Sequence, residues 1–335
     1  MKISASIYSN KESPLEEIIK ELDEHQIDFF HVDCDDNLNV FNDIELIRRY
    51  SSKPVDLHII SDTPEKYFDL LEKHKVEYVA FQHENLKSVL KIPDNVKSNC
   101  GLAITSDTDI SVFDPYADKF SFILFMATIP GKSAGIFNKE NFGRIRKFRS
   151  SYPDKKIHVD GGVNGEVSFI LRNMGVNVAV SGSYLFNSNH LGSALLNLKS
   201  NDIDSRFLVK DFMRTTDESP VLYPDKRQLI DVLNSIDEYQ LAFTVLVNEE
   251  CKLDGIISNA DVRKGLIRNI NDLNGLKVEE IVNANPVTIN ENNNVLEMLR
   301  HVKSQKFPVS YLPVINDENI FTGVVTFNNL IKGEL

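Results

Sequence analysis

Apolar runs rich in β-branched and aromatic residues recur through the first two hundred positions. They lie at Ile3–Tyr8, Phe29–Asp33, Val55–Ile60, Tyr78–Gln82, Gly101–Thr105, Phe122–Thr128, Ile157–Val163 and Val178–Ser181. Such near-continuous apolar character predicts strands buried on both faces, as in a parallel sheet. Amphipathic stretches separate most of them: Pro14–Glu24, Pro64–His74, Lys139–Tyr152 and Glu166–Met174. Pro14 stands near a first helical turn, and Gly175 follows the last stretch as a stop signal. Eight strand signals, most followed by a helical one, predict an α/β chain with a (β/α)8 barrel of about 200 residues. A doubly wound open sheet shares this alternation and is the competing arrangement.

The strand pattern stops near Lys199. Ser200–Arg206 is polar and charged and reads as a linker. Beyond it the chain repeats itself. One unit runs from Val209-Lys210-Asp211-Phe212-Met213 through Ser219-Pro220-Val221 to Gly255-Ile256-Ile257-Ser258. The other runs from Val278-Glu279-Glu280-Ile281-Val282 through Asn285-Pro286-Val287 to Gly323-Val324-Val325-Thr326. An internal repeat implies two copies of one unit packed together. The expected division is a barrel over 1–200 and a repeated α+β module over 207–335, with units at about 207–270 and 276–335.

Composition narrows the function classes. The chain has 335 residues, 42% hydrophobic and 26% charged, which suits a globular protein with a sizeable core. With 37 basic against 49 acidic residues, the net charge is −12. That excludes a general nucleic-acid binder, which needs basic surface, but leaves room for a local phosphate pocket. Cys34, Cys100 and Cys251 are too scattered for a disulfide framework or clustered zinc site, and fit a reducing cytosol. No apolar run reaches the ~20 residues of a membrane span, and MKISASIY is too short and polar for a signal peptide. A cytoplasmic protein without a membrane partner is expected.

Polar residues stand out at the C-terminal ends of the strand signals, where barrels carry their chemistry. They are His31 and Asp33 in the second, His58 in the third and Asp160 in the seventh. His31 and Asp33 are two apart and share one strand face. Two imidazoles and two carboxylates suit a divalent transition metal such as zinc, iron, manganese or cobalt. A single His in an apolar strand is more often a hydrogen-bonded core residue. Four polar groups on strands that should be apolar weigh against that reading, because each unpaired burial costs several kcal/mol.

The first ~190 residues resemble the ribulose-phosphate 3-epimerase family. The resemblance rests on Ile3-Ser4-Ala5-Ser6-Ile7, His31-Val32-Asp33, Asp56-Leu57-His58, Gly101-Leu102-Ala103-Ile104, Met126 to Pro130-Gly131, Asp160-Gly161-Gly162-Val163 and Gly182-Ser183, in order and at spacing over the whole barrel. It implies that His31, Asp33, His58 and Asp160 are metal ligands, with zinc expected first and iron, manganese or cobalt as alternatives. It implies that Asp33 and Asp160 form the acid/base pair. One removes the proton at C3 of a ketose phosphate and the other returns one from the opposite face, the cation stabilising the ene-diolate. Ser6 and Met126 are implied as substrate contacts. Backbone N–H groups of Gly161, Gly162, Gly182 and Ser183 would hold phosphate; the plainer reading of these glycines is tight turns leaving strands.

Departures from the family pattern cluster around the substrate. Cys34-Asp35-Asp36-Asn37-Leu38 stands where the family has Val-Met-Asp-Gly-His, so Asp35 replaces an apolar methionine. Ile60 also occupies a methionine position. Gln82 replaces the histidine of a His-x-Glu motif whose Glu84 is kept. Thr105-Ser106 replaces Asn-Pro, and Lys132 lies in an altered Pro-Gly loop, where a solvated lysine is its default role. Asp35, Gln82 and Lys132 are therefore candidates for setting substrate specificity. A different sugar phosphate, longer or carrying an amino group, is one expectation from Asp35.

Residues ~207–335 resemble a tandem pair of cystathionine-β-synthase-type (CBS) motifs. The carrying residues include Leu253-Asp254-Gly255-Ile256-Ile257-Ser258-Asn259-Ala260-Asp261, Asn285-Pro286-Val287-Thr288-Ile289 and Leu312-Pro313-Val314, beside the repeats above. The resemblance implies a regulatory module that binds an adenine nucleotide or supports a homo-oligomer. Ser258 and Asp261 fit the ligand pattern; Thr326 is followed by Asn329 rather than Asp, so the second unit departs from it. Asp261 equally suits a helix cap. Such pairs also occur on sugar-phosphate isomerases and nucleotidyltransferases of surface-glycan pathways, an analogy only. Three functions are therefore weighed: a metal-dependent sugar-phosphate 3-epimerase with a regulatory tail, a non-catalytic sugar-phosphate and nucleotide sensor, and a different isomerisation in a related barrel. A binding relic has no need of two opposed carboxylates, which favours the first.

Overall fold

In the computed structural model eight strands close on themselves. They are β1 (Lys2–Ser6), β2 (Phe29–Asp35), β3 (Val55–Ile60), β4 (Tyr78–Gln82), β5 (Asn99–Thr105), β6 (Phe122–Met126), β7 (Lys156–Asp160) and β8 (Val178–Ser181). All pair in parallel with their sequence neighbours, and β8 returns to β1. That last pairing decides for the barrel over the open sheet. The structure describes residues 1–128, 135–200, 206–272 and 276–327. Its described residues divide into two compact units, one over 1–200 and the other over 206–327.

Helices α1 (Leu15–Glu24), α2 (Val40–Tyr50), α3 (Phe68–Lys73), α4 (Glu140–Ser151), α5 (Gly165–Asn173), α6 (Ser183–Phe186) and α7 (Leu191–Lys199) belong to the same unit as the barrel. The larger ones bury one apolar stripe, such as Phe142, Ile145 and Phe148 of α4. The stretch from Pro64 is not one helix: Pro64–Tyr67 is a 3-10 turn that leads into α3. Strands β4 and β5 are followed by 3-10 turns, His83–Asn85 and Ile110–Tyr116, instead of α-helices.

Three strands end earlier than their apolar runs. The run from Ile3 leaves the barrel after Ser6 into a 3-10 turn over Ile7–Ser9. The run from Phe122 pairs only to Met126. The run from Ile157 stops at Asp160, because Gly161 and Gly162 turn at φ +108° and +66°. Only glycine enters that region freely, and a Cβ at Gly162 would also overlap the Phe137 backbone.

Strand alternation layers the barrel interior. Phe29, Tyr78 and Phe122 sit toward the N-terminal end, with Phe29 and Tyr78 rings edge-on at 5.2 Å. His158 stacks on Phe122 at 4.1 Å; burial depresses its pKa to about 4, so it packs as a neutral ring. One layer up lie His31 and Asp56, opposite each other in the β2–β3 register. Asp33 and His58 face each other two residues later, and Met126 lies opposite Asp160.

The second unit contains α8 (Val209–Phe212), β9 (Arg214–Thr215), β10 (Val221–Leu222), α9 (Leu229–Tyr239), β11 (Phe243–Val247), β12 (Leu253–Ser258), α10 (Asn259–Arg268), β13 (Ile289–Asn290), α11 (Val295–Ser304), β14 (Tyr311–Ile315) and β15 (Phe321–Thr326). Its sequence repeat becomes a structural one. In each copy a short strand runs parallel to a longer one, which pairs antiparallel to the next. A shared core joins the copies, with Phe243 stacked on Tyr311 at 4.1 Å and Ile256 grouped with Phe321 and Val324. Strand β9 crosses to pair with β15.

A Cβ at Gly101 would overlap the buried Phe122 ring. Gly101→Ala should therefore destabilise the barrel by about 1–3 kcal/mol through overpacking. Urea unfolding measures this; an unchanged midpoint would mean that Phe122 moves aside freely.

Candidate active site

At the C-terminal rim, His31, Asp33, His58 and Asp160 each offer a ligand atom within 4.8 Å of the others. The imidazoles of His31 and His58 are sealed from solvent, while the Asp33 and Asp160 side chains keep 22% and 18% of their surface exposed. The carboxylates thus face outward and the imidazoles support them from below.

Each imidazole is oriented from behind. His31 Nδ1 lies 3.0 Å from Asp56 Oδ2, and Ser4 Oγ donates to the same oxygen at 3.0 Å. An ionised Asp56 can only accept, so it fixes a proton on Nδ1, and Nε2 is the nitrogen that can give up its proton to a cation. That Nε2 is buried without a hydrogen-bond partner, 3.3 Å from Asp33 Oδ1 and 3.8 Å from Asp160 Oδ2. His58 turns its other nitrogen inward: Nδ1 lies 3.2 Å from Asp33 Oδ1, and Nε2 lies 2.7 Å from Gln82 Oε1.

The charges fit a cation. Burial alone would lower the His31 pKa, but Asp33 and Asp56 outweigh it and hold it well above the usual value. Burial works to raise the Asp33 pKa, yet His31 and His58 hold it far below the carboxylate range. Burial lifts the Asp160 carboxyl to about 6, with Asp33 adding to the rise and His31 opposing it. The pocket attracts positive charge strongly enough to hold a proton on a buried imidazole. An orphaned ligand nitrogen, a nitrogen–oxygen donor set and that field together fit a divalent metal.

The site floors a cavity of about 830 Å3. Of the residues singled out in the sequence, Ser6, Asp33, Asp35, Met126, Asp160, Gly161, Gly162, Gly182 and Ser183 line it. Gln82 does not; it is buried beside His58. Lys132 and its Pro-Gly loop lie outside the described residues. Sequence reasoning missed two groups. Asp56 had only its place in the Asp-Leu-His run to mark it, although its period-2 spacing from His58 was readable. Tyr8 also lines the cavity; burial and Asp43 raise its pKa, and its hydroxyl donates to Asp43 Oδ2 at 2.6 Å.

In the second unit, Ser258 caps α10. Its backbone N–H donates to Asp261 Oδ2 at 3.0 Å, and the Asp261 N–H returns to Ser258 Oγ at 3.3 Å. Thr326 closes β15; Asn329 lies outside the described residues.

Comparison with known proteins bears on this geometry. The family model described as the ribulose-phosphate 3 epimerase family matches residues 2–186, more than half of the chain. The chain belongs to that family. A ribulose-phosphate 3-epimerase of Methanocaldococcus jannaschii is 28% identical over 226 residues, covering 64% of this chain and 95% of the relative. The namesake from Bacillus subtilis is 22% identical, covering 59% and 98%. A CBS domain model matches residues 278–334. A crystal structure of CBSX2 in complex with AMP aligns with 38% of this chain and 96% of its own, at 21% identity and a TM-score of 0.32. The epimerase family supplies the barrel, and the CBS domain match covers the second copy of the repeat that follows it. No helix among the described residues is long and apolar enough to cross a membrane.

Asp56→Asn should lower the His31 pKa in the metal-free protein, because it removes one of the two charges that raise it. It should also weaken metal binding by roughly 10–100-fold. Imidazole 15N NMR and titration against a chelator read both; unchanged values would show that Asp56 does not orient His31.

Proposed function

We propose that the barrel is a metal-dependent 3-epimerase of a ketose phosphate of the ribulose 5-phosphate kind. The observation that carries this reading is the convergence of Asp33 from β2 and Asp160 from β7 on one cluster at the cavity floor. Two carboxylates that approach a carbon from different strands suit removal of a proton on one face and delivery on the other. One carboxylate takes the C3 proton, the C3–H pair forms the C2–C3 double bond and the carbonyl π pair moves onto the C2 oxygen, giving an ene-diolate. The reverse flow of electrons returns the pair to C3 with a proton from the second carboxyl group. The two aspartates then exchange roles for the reverse direction. A divalent cation held by His31, Asp33, His58 and Asp160 would act as a Lewis acid toward the substrate oxygens.

Gly161, Gly162, Gly182 and Ser183 edge the same cavity, which supports phosphate binding by backbone N–H groups. Ser6 and Met126 line the same cavity and are read as substrate contacts. The CBS pair is read as a regulatory module for an adenine nucleotide and as a homo-oligomer contact, with Ser258, Asp261 and Thr326 as ligand candidates. The reading implies a cytoplasmic enzyme of carbohydrate metabolism.

A second substrate reading rests on the cavity beyond the four ligands. Asp35, Asn37, Asp43, Tyr8 and Lys11 make that wall polar. It favours a sugar phosphate with more hydroxyls or an amino group, on the same chemistry.

Purified protein supplied with divalent metal should wash deuterium from solvent into C3 of at least one of a panel of ketose phosphates. Asp33→Asn and Asp160→Asn should each reduce exchange by about 10²–10⁴-fold. Absence of exchange with the whole panel would overturn the epimerase reading, and full activity in both variants would overturn the acid/base pair. Calorimetry with AMP, ADP and ATP tests the CBS reading separately.

A further inference from the structure

Gln82 and Glu84 form a chain of hydrogen bonds behind His58. Gln82 ends β4, and its Oε1 lies 2.7 Å from His58 Nε2. Its Nε2 donates to Glu84 Oε2. Glu84 Oε1 accepts from the Thr105 backbone N–H and hydroxyl, each at 2.9 Å, and from the Thr108 hydroxyl. Burial would raise the Glu84 pKa, but these hydrogen bonds outweigh it and keep the group an ionised acceptor.

The direction of the chain follows from donor and acceptor capacity. An ionised carboxylate accepts only, whereas a primary amide has one accepting and one donating end. Turning the Gln82 amide over would set its carbonyl oxygen against the Glu84 carboxylate. Glu84 therefore fixes the amide with its NH2 outward and its oxygen toward His58. In the neutral ring His58 must then carry its single proton on Nε2, which leaves the Nδ1 lone pair for a ligand. Without a ligand, Nδ1 can meet Asp33 Oδ1 at 3.2 Å only through a second proton. With the amide reversed, the proton would move to Nδ1 and close the ligand position.

We propose that Glu84 and Gln82 lock His58 in the Nε2–H tautomer, which makes Gln82 a positioning residue of the metal site and not a substrate contact. The inference rests on the metal-site reading above. It also explains an asymmetry: His31 is oriented by a carboxylate and His58 by a neutral amide whose direction a more distant carboxylate dictates.

Two readouts test the lock. In the metal-free chain at a pH high enough to leave the ring neutral, the 15N shifts of His58 should report Nε2–H. Glu84→Gln, which can donate as well as accept, should release a mixture of tautomers. In titrations of the metal-free chain with Co2+ against a chelator, Gln82→Leu should bind about 10–100-fold more weakly, with altered cobalt absorption bands. Glu84→Gln should weaken binding in the same direction. The double variant Gln82→Glu/Glu84→Gln rebuilds the chain, since a carboxylate at position 82 can accept from both His58 and the new amide, and should recover tight binding. Nδ1–H as the single proton of the neutral ring in the unaltered protein, or binding within twofold in both single variants, would overturn the lock. So would a double variant as weak as the singles, because the loss would then be one of packing. If Gln82→Leu does not fold, Glu84→Gln and the double variant decide. If the unaltered chain binds no cation while His58 is Nε2–H, the metal reading falls and the tautomer assignment stands.

Discussion

The barrel rim is organised by one electrostatic demand: two carboxylates and two imidazoles sit together where the rest of the barrel is apolar. Removing four polar groups from water is costly unless each is hydrogen-bonded or neutralised. The chain meets that demand in stages. Asp56, with Ser4, takes the outer nitrogen of His31, and Gln82 takes that of His58. The inner nitrogens then face Asp33, and Asp160 for His31, across distances that a proton or a divalent cation can bridge. The period-2 geometry of the strands makes the arrangement possible. His31 with Asp33, and Asp56 with His58, project inward from adjacent strands in register.

Much of this was legible in the sequence, for a physical reason. Parallel strands covered on both faces need apolar, β-branched runs, and those runs located all eight strands. Their ends were less readable, because Ile7, Ala127 and Val163 are apolar residues just beyond their strands. Backbone conformation ends β7 at Gly161, and hydrophobicity carries no record of it. The four clustered residues were visible because a charged or imidazole side chain is anomalous in such a strand. Asp56 and Gln82 broke the same rule but drew less notice. Their partners come from other strands, and only the register reveals that they back His31 and His58.

The second unit gives a complementary case. Ser258 and Asp261 carry a sequence signature that two physical roles can produce. The structure uses them reciprocally as a helix cap, each satisfying a backbone N–H that α10 would otherwise leave open. A residue pair can cap a helix and still present oxygens to a ligand, so the hydrogen bonds do not remove the second role. The repeat itself was legible because both copies must build the same strand pairing. Its crossing strand β9 was not, since two residues carry no periodicity.

The groups at the site also divide between strands and connecting segments. His31, Asp33, His58 and Asp160 lie within strands, where paired backbones fix their positions. Asn37, Tyr8 and Lys11 come from the segments after β1 and β2, and Asp35 from the last residue of β2. Barrel strands tolerate little displacement, because each is paired on both sides, whereas the connecting segments accept substitution with little effect on the core. A change at Asp35 therefore alters the cavity wall without moving the four clustered side chains. Gln82 belongs with the rigid set despite its place at the end of β4. It touches His58 and not the cavity, so a change there acts first on how His58 is held and not on what the cavity admits.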